Sequence, residues 1–234
     1  MMGRPEARRL APPEHTPGHR HRCDAQRESF TSRAAYHGPV RAAKELMRAG
    51  QLYRGDDPEL TRELERRQAK VAALNAIPYE QAAERAAALE ELLAAIGEET
   101  SIRAPFHCDY GDGIRIGART FVNFNCTMLD AAPITIGDEC LLASGVQLIT
   151  PTHPIDPVAR RAAWEQALPV TIADGVWLGA GVLVCPGASI GENTVVGAGS
   201  VVTGSLPAGV VAYGNPARVA RQIDDRDRAR PERR

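Results

Sequence analysis

The sequence predicts a mainly β fold: a parallel β-helix of hexapeptide repeats closed at its N-terminal end by an α-helical cap. Three observations predict it: an unbroken six-residue period of aliphatic side chains, a composition poor in aromatics but rich in Gly and Pro, and helical periodicity over residues 40–97. Aliphatics fall at Ile172, Leu178, Val184, Ile190, Val196 and Val202. The residue after each is small or polar: Ala173, Gly179, Cys185, Gly191, Gly197 and Thr203. Four residues after each aliphatic comes another compact side chain: Val176, Val182, Ala188, Thr194, Ser200 and Leu206. The same rhythm appears upstream in Ile116-Gly117 with Thr120, Val122-Asn123 with Cys126, Ile136-Gly137 with Cys140, and Leu142-Ala143 with Val146.

Such a unit describes a short strand followed by a tight corner, and three units make one triangular coil. Stacked coils about 4.8 Å apart pair their backbone groups and leave the aliphatics as an internal column. Ordinary strands with Gly-rich turns do not require a fixed period over consecutive units. The repeat does not set the hand of the coil.

Composition narrows the function classes. The 234 residues carry 28 basic and 29 acidic side chains, a formal net charge of −1, so there is no basic excess for a nucleic-acid backbone. No run of about 18 apolar residues could span a bilayer. Five cysteines without C-x-x-C spacing indicate neither a disulfide scaffold nor a structural zinc site, and a reducing cytoplasm fits them.

Along the chain, residues 1–39 hold seven Arg, five Pro and four His without apolar periodicity and read as a disordered extension. His15, His19 and His21 lack thiolate or carboxylate partners at metal-binding spacing, so no metal is expected. The cap, 40–97, reads as a helix from Val40 to Ala49 stopped by Gly50, a second opened by Asp57-Pro58, and a third from Pro78 to Ile96 ended by Gly97. The β-helix spans 98–223, and 224–234 is a charged tail. The rhythm breaks at a loop over about 149–169, and long loops on a rigid scaffold usually carry function. That loop holds His153, between Thr152 and Pro154. An imidazole suits proton removal from a hydroxyl nucleophile near neutral pH, and a loop histidine bonded to a carbonyl satisfies the same pattern.

Several motifs combine here: Phe106-His107-Cys108-Asp109-Tyr110-Gly111, Asn123-Phe124-Asn125, Thr152-His153-Pro154-Ile155-Asp156-Pro157-Val158-Ala159-Arg160, Pro169-Val170-Thr171-Ile172 and Gly214-Asn215-Pro216-Ala217-Arg218. Over about residues 43–223 the chain closely resembles the maltose O-acetyltransferases of the hexapeptide-repeat superfamily, which stand with the galactoside and nodulation-factor acetyltransferases. The resemblance implies a left-handed β-helix, an exception to right-handed crossovers. It also implies a homotrimer with active sites between neighbouring subunits, acetyl-CoA as donor and a hydroxyl of a maltose- or glucose-like sugar as acceptor.

The resemblance implies roles residue by residue. His153 matches the catalytic base, and Glu165 matches a glutamate that could hold its tautomer. Asn123 matches the active-site asparagine, in reach of sugar and coenzyme alike. Asp109 matches the sugar-contacting position. Asp57 could reach the sugar or simply cap its helix, and Asp130 is a further polar residue near the same coil edge. For the coenzyme, Trp177 and Ala180 would meet the thioester, Ala198 and Thr203 the pantetheine, and Arg218 with Arg221 the phosphates; Trp177 could equally pack in the trimer. Three departures stand out: Gly204 where relatives often have Lys, Leu64-Glu65-Arg66 for Arg-x-Arg, and Leu74-Asn75-Ala76 for Tyr-Asn-His.

Three other readings compete. A hexapeptide transferase acting on a xenobiotic, serine or oligosaccharide would use the same base and donor. A β-helical carbonic anhydrase needs three histidine ligands, and His107 and His153 are the only histidines in the β-helix region. A non-catalytic scaffold would keep the aliphatic column without a histidine loop.

Overall fold

The computed structural model describes residues 42–228, so the expected disordered extension 1–39 and the end of the charged tail lie outside the described residues. The cap contains helices α1 (Ala43–Arg48), α2 (Pro58–Ala76) and α3 (Ala82–Leu92). Asp57 starts α2: its carboxylate accepts from the Glu59 N–H at 2.8 Å, and Pro58 fills a first-turn position where its missing N–H costs nothing. Buried Leu60, Val71 and Leu74 of α2 and Leu89 and Leu92 of α3 turn the cap's apolar side inward.

The third helix is shorter than the periodicity implied. It ends at Leu92, and Ala95–Ile96 instead form a strand paired in parallel with Ile114–Ile116. The Ala94 N–H donates to the Ile114 carbonyl at 3.0 Å, so the backbone is captured by the next coil before the helix can continue. The β-helix therefore begins at 95 rather than 98, and the cap ends correspondingly sooner.

Three sheets form the faces of the prism. Face one stacks Ala95–Ile96, Ile114–Ile116, Ile134–Ile136, Val170–Ile172 and Ser189–Ile190. Face two stacks Ser101–Ile102, Phe121–Val122, Leu141–Leu142, Trp177–Leu178, Val195–Val196 and Val210–Gly214, and ends on Ala217–Gln222. Face three stacks Phe106–Cys108, Cys126–Leu129, Gln147–Ile149, Leu183–Val184 and Val201–Val202. Neighbours within each face are parallel except the last pair of face two, which is antiparallel.

The six-spaced aliphatics Ile172, Leu178, Val184, Ile190, Val196 and Val202 are all buried, as are their compact partners four residues on. At the corner between faces one and two, Glu99, Arg119, Glu139, Gly175, Asn193 and Gly209 adopt φ between 52° and 68°. Asn125, Gly145, Gly181 and Gly199 do the same between faces two and three, with φ from 60° to 73°. A left-handed residue at each corner turns the chain tightly, which explains why Gly and Asn recur there. Polar side chains stitch the corners together: the Thr120 hydroxyl donates to the Gly137 carbonyl at 2.9 Å and accepts from the Cys140 N–H at 3.0 Å.

The loop leaves at the corner between faces three and one. Its strands Pro151–Thr152 and Trp164–Ala167 pair antiparallel, with α4 (Pro157–Arg161) between them. The outer edge of Trp164–Ala167 pairs with Tyr53–Arg54 of the cap, so cap and loop form one three-stranded sheet. No helix among the described residues is long and apolar enough to cross a membrane.

Close coil contact yields a stability prediction. A Cβ at Gly117 would press on the Asp138 carboxylate and lie 2.5 Å from the Gly137 carbonyl carbon, whereas one at Gly204 would meet nothing within 4 Å. Gly117→Ala is expected to lower unfolding stability by about 1–3 kcal/mol and Gly204→Ala by less than about 0.5 kcal/mol, read from chemical denaturation midpoints.

Candidate active site

His153 follows the strand Pro151–Thr152 and opens into a cleft of ≈ 220 Å³ whose lining includes Tyr53, Leu64, Asp109, Tyr110 and Glu165. Its side chain is 58% exposed, and Nδ1 stands 3.9 Å from Glu165 Oε1, too far for a direct hydrogen bond. Glu165 is fixed from its other side. Tyr53, 3% exposed, donates its phenolic O–H to Glu165 Oε2 at 2.8 Å, and the two residues are register partners across the cap–loop sheet. Gly55 is needed for this arrangement, because a Cβ there would lie 2.5 Å from the Glu165 carboxyl carbon. Burial and the Glu165 contact push the Tyr53 phenol pKa well up, which keeps it a donor.

Asp109 follows the strand Phe106–Cys108 and is held through its backbone: the Gln68 side-chain amide of α2 donates to the Cys108 and Asp109 carbonyls at 2.6 and 3.0 Å. Just beyond it, Asp112 gathers Lys44 at 2.8 Å, Arg67 at 3.2 Å and Arg48, tying α1 and α2 to this turn. Asp130 is fully buried and accepts from the Tyr110 and Gly113 N–H groups at 2.8 and 3.0 Å, so it builds the turn and does not line the cleft. Burial, then the neighbouring Asp130 and Glu165 carboxylates, push the Asp109 pKa up to about 6. Asp57 caps α2, and it too is absent from the cleft lining.

The remaining expected residues stand elsewhere. Asn123 is at the corner between faces two and three, its side-chain carbonyl accepting from the Phe124 N–H at 2.9 Å. The same corner passes through Ala180 and Ala198, linked coil to coil by Gly145 N–H to Phe124 O, Gly181 N–H to Ser144 O and Gly199 N–H to Ala180 O at 2.8–2.9 Å. Asn123, Ala180 and Ala198 thus line one straight edge. The half-exposed Trp177 lies on face two, and Thr203 is exposed after the last strand of face three. Arg218 and Arg221 lie on the terminal strand Ala217–Gln222. Arg221 is committed to Asp227 through two bonds of 2.6 and 2.7 Å, while Arg218 has no carboxylate partner among the described residues. A single chain therefore unites His153 with Asp109 but keeps both on a different corner from Asn123.

No expected role attaches to Tyr53, Gly55, Gln68 or Tyr110 from sequence alone. Tyr53 and Glu165 are 112 residues apart, and no periodic signal links a cap strand to a loop strand. Cys108, Cys126, Cys140 and Cys185 are free thiols, and desolvation by burial raises the pKa of each. Among the described residues no cluster of His, Cys, Asp and Glu is placed to hold a metal ion.

The Asp109 environment predicts a pH signature. Its folded pKa lies above the unfolded value, so the native state holds the extra proton and loses stability as pH rises from about 4 to about 6. Asp109→Asn is expected to stabilise the fold on the order of 2 kcal/mol above pH 7 and to lose that advantage below about pH 4. Thermal denaturation of both proteins across pH measures this.

Comparison with known proteins agrees with this geometry. Residues 46–97 match the maltose acetyltransferase hexapeptide capping motif, residues 113–149 the hexapeptide repeat of succinyl-transferase, and residues 169–204 the bacterial transferase hexapeptide of six repeats. The chain is 45% identical over 180 residues to Nodulation protein L of Rhizobium leguminosarum bv. viciae, covering 77% of this chain and 95% of that protein. The crystal structure of a maltose O-acetyltransferase from Clostridium difficile 630 superposes with a TM-score of 0.77 at 37% identity, covering 80% of this chain and 100% of that one. A galactoside acetyltransferase in complex with coenzyme A also gives a TM-score of 0.77, at 36% identity over 80% of this chain and 94% of that one. With its helical cap, its hexapeptide prism and a relative of this identity matched over nearly its whole length, the chain belongs to the hexapeptide-repeat sugar acetyltransferase family.

Proposed function

We propose that this protein moves an acetyl group from acetyl-CoA directly to a sugar hydroxyl, with His153 as general base. The observation that carries the reading is His153 opening into a cleft it shares with Asp109, Tyr53 and Glu165. Asp109 offers acceptor oxygens for sugar hydroxyls, and Asp57 is assigned to the outer part of the same acceptor. The imidazole removes the proton from the acceptor hydroxyl as the oxygen attacks the thioester carbonyl. The Asn123 amide of the neighbouring protomer is assigned to bond the resulting oxyanion. Collapse releases the coenzyme thiolate, which takes the proton back from the imidazolium, so charge and protons balance. The buried thiols, held protonated, have no part in this direct transfer.

The coenzyme is assigned to the edge lined by Asn123, Ala180 and Ala198, with Trp177 near the thioester, Thr203 beside the pantetheine and Arg218 on the phosphates. Arg221 joins Arg218 only by exchanging its Asp227 partner. Because that edge and His153 occupy different corners, the reading places each reaction centre between the loop of one protomer and the edge of its partner in a homotrimer. The outward side chains of face two support such contact: Phe121, Leu141, Trp177, Val195 and Val211 are register partners from coil to coil. Face two thus presents an apolar stripe, which a partner's surface would cover. A reducing, cytoplasmic setting suits the free thiols. Leu64 faces the cleft where the resemblance would put one arginine of an Arg-x-Arg pair, so a maltose- or glucose-like acceptor meets an apolar side chain there in place of a cation.

Thiol release from acetyl-CoA across a sugar panel tests the activity. His153→Ala is expected to lower kcat about 10² to 10⁴-fold with the fold intact, and full turnover would remove the base assignment. Arg218→Ala is expected to raise the KM for acetyl-CoA while sparing that for sugar; an unchanged coenzyme KM would reassign the phosphates.

A further inference from the structure

A second cavity, of ≈ 350 Å³, is lined by Ile77, Tyr79, Arg85, Arg103, Ala104 and Phe124. That volume falls within the range of about 300–1,000 Å³ typical of small-ligand pockets. Arg103 lies one coil before Asn123 on the same prism edge, its N–H donating to the Val122 carbonyl at 2.9 Å. Its guanidinium is ringed by aromatics, 5.0 Å from the Phe124 centroid, 5.2 Å from Phe121 and 5.8 Å from Tyr79. Arg103 Nε is buried and has no hydrogen-bond partner. Among the described residues no carboxylate pairs with this arginine. Natural interiors normally supply an acceptor to a buried charged donor. Here, among the described residues, the Arg103 guanidinium makes no side-chain hydrogen bond, its Nε included.

The other cation of the cavity is already satisfied. Arg85 donates to the carbonyls of Leu74, Ile77 and Ile102 at 3.0–3.4 Å. One guanidinium with free donors calls for a planar monoanion, and the carboxylate fits its fork. Tyr79 and Phe124, both exposed, contribute aromatic rings to the lining, flat apolar surface on which a pyranose can lie. Phe124 is also the neighbour whose N–H binds the Asn123 side chain, so the cavity borders the position assigned to the reacting group.

We propose that this cavity is an acceptor subsite for the carboxylate of an acidic sugar, and that the acceptor class is accordingly a hexuronic acid residue. The proposal rests on the acetyl-transfer reading for its place in catalysis, but the subsite can be tested by binding alone. Acetyl transfer to methyl glucuronoside and methyl glucoside is compared in wild type, Arg103→Gln and Arg103→Lys, with folding checked by circular dichroism. The expected result is a KM for the glucuronoside about 10-fold or more below that for the glucoside in wild type. Arg103→Gln should erase the difference while leaving the glucoside parameters within about twofold, and Arg103→Lys, which keeps the charge without the fork, should fall between. No preference in wild type, a preference surviving Arg103→Gln, or an equal loss for both sugars would overturn the subsite. Calorimetric titration of methyl glucuronoside and of propionate into the coenzyme A-loaded protein separates the two failures. Binding of the glucuronoside that Arg103→Gln abolishes, with no thiol release for any sugar, would uphold the subsite and sink the acetyl-transfer reading. Absent binding, or propionate binding as well as the sugar, would overturn the acidic-sugar assignment.

Discussion

Backbone pairing between successive coils is the constraint on which everything else in this molecule depends. Each strand contains only two to a few residues, so none is stable alone; the N–H and C=O groups of every face are satisfied by the coil before and the coil after. That register forces one inward aliphatic every six residues and a left-handed corner residue at fixed intervals. It also forces the corners themselves into straight edges. An edge such as the one carrying Asn123, Ala180 and Ala198 is a rigid ruler whose spacing is set by the sheet repeat rather than by side-chain packing.

The site is assembled from what interrupts this regularity. The 150–169 excursion would be a loose loop if the cap did not add a strand to it, since its own pair is only two residues deep. Tyr53–Arg54 supplies the missing neighbour, and the Tyr53 hydroxyl then fixes one oxygen of Glu165 while leaving the other toward His153. Asp109 is anchored from the opposite side by Gln68 and the Asp112 cluster. The cap thus bears on both flanks of the cleft, which explains why a helical segment with little periodicity in common with the β-helix is joined to it.

The prism was legible because a strict period is a property of consecutive residues. Positions such as Ile172 and Val202 announce their burial without any knowledge of distant contacts. His153 stood out for a related reason: it lies where the period fails. The end of α3 is not legible locally, because Leu89, Leu92, Leu93 and Ile96 satisfy a helical stripe and only pairing with Ile114–Ile116 assigns Ile96 to a strand. Tyr53 and Gly55 carry no local signature, since their meaning comes from Glu165 across the cap–loop sheet. Arg103 is silent in the sequence for the same reason: its aromatic surround is drawn from the cap and from the following coil.

The reversal at the C-terminal end of face two has a consequence for self-association. An unfinished prism offers a row of free backbone donors and acceptors, an invitation to end-on polymerisation into fibres. Here Val210–Gly214 doubles back into Ala217–Gln222, whose exposed residues include Arg218, Arg221 and Gln222. A further copy cannot simply continue the parallel stack of face two across this antiparallel, charged hem.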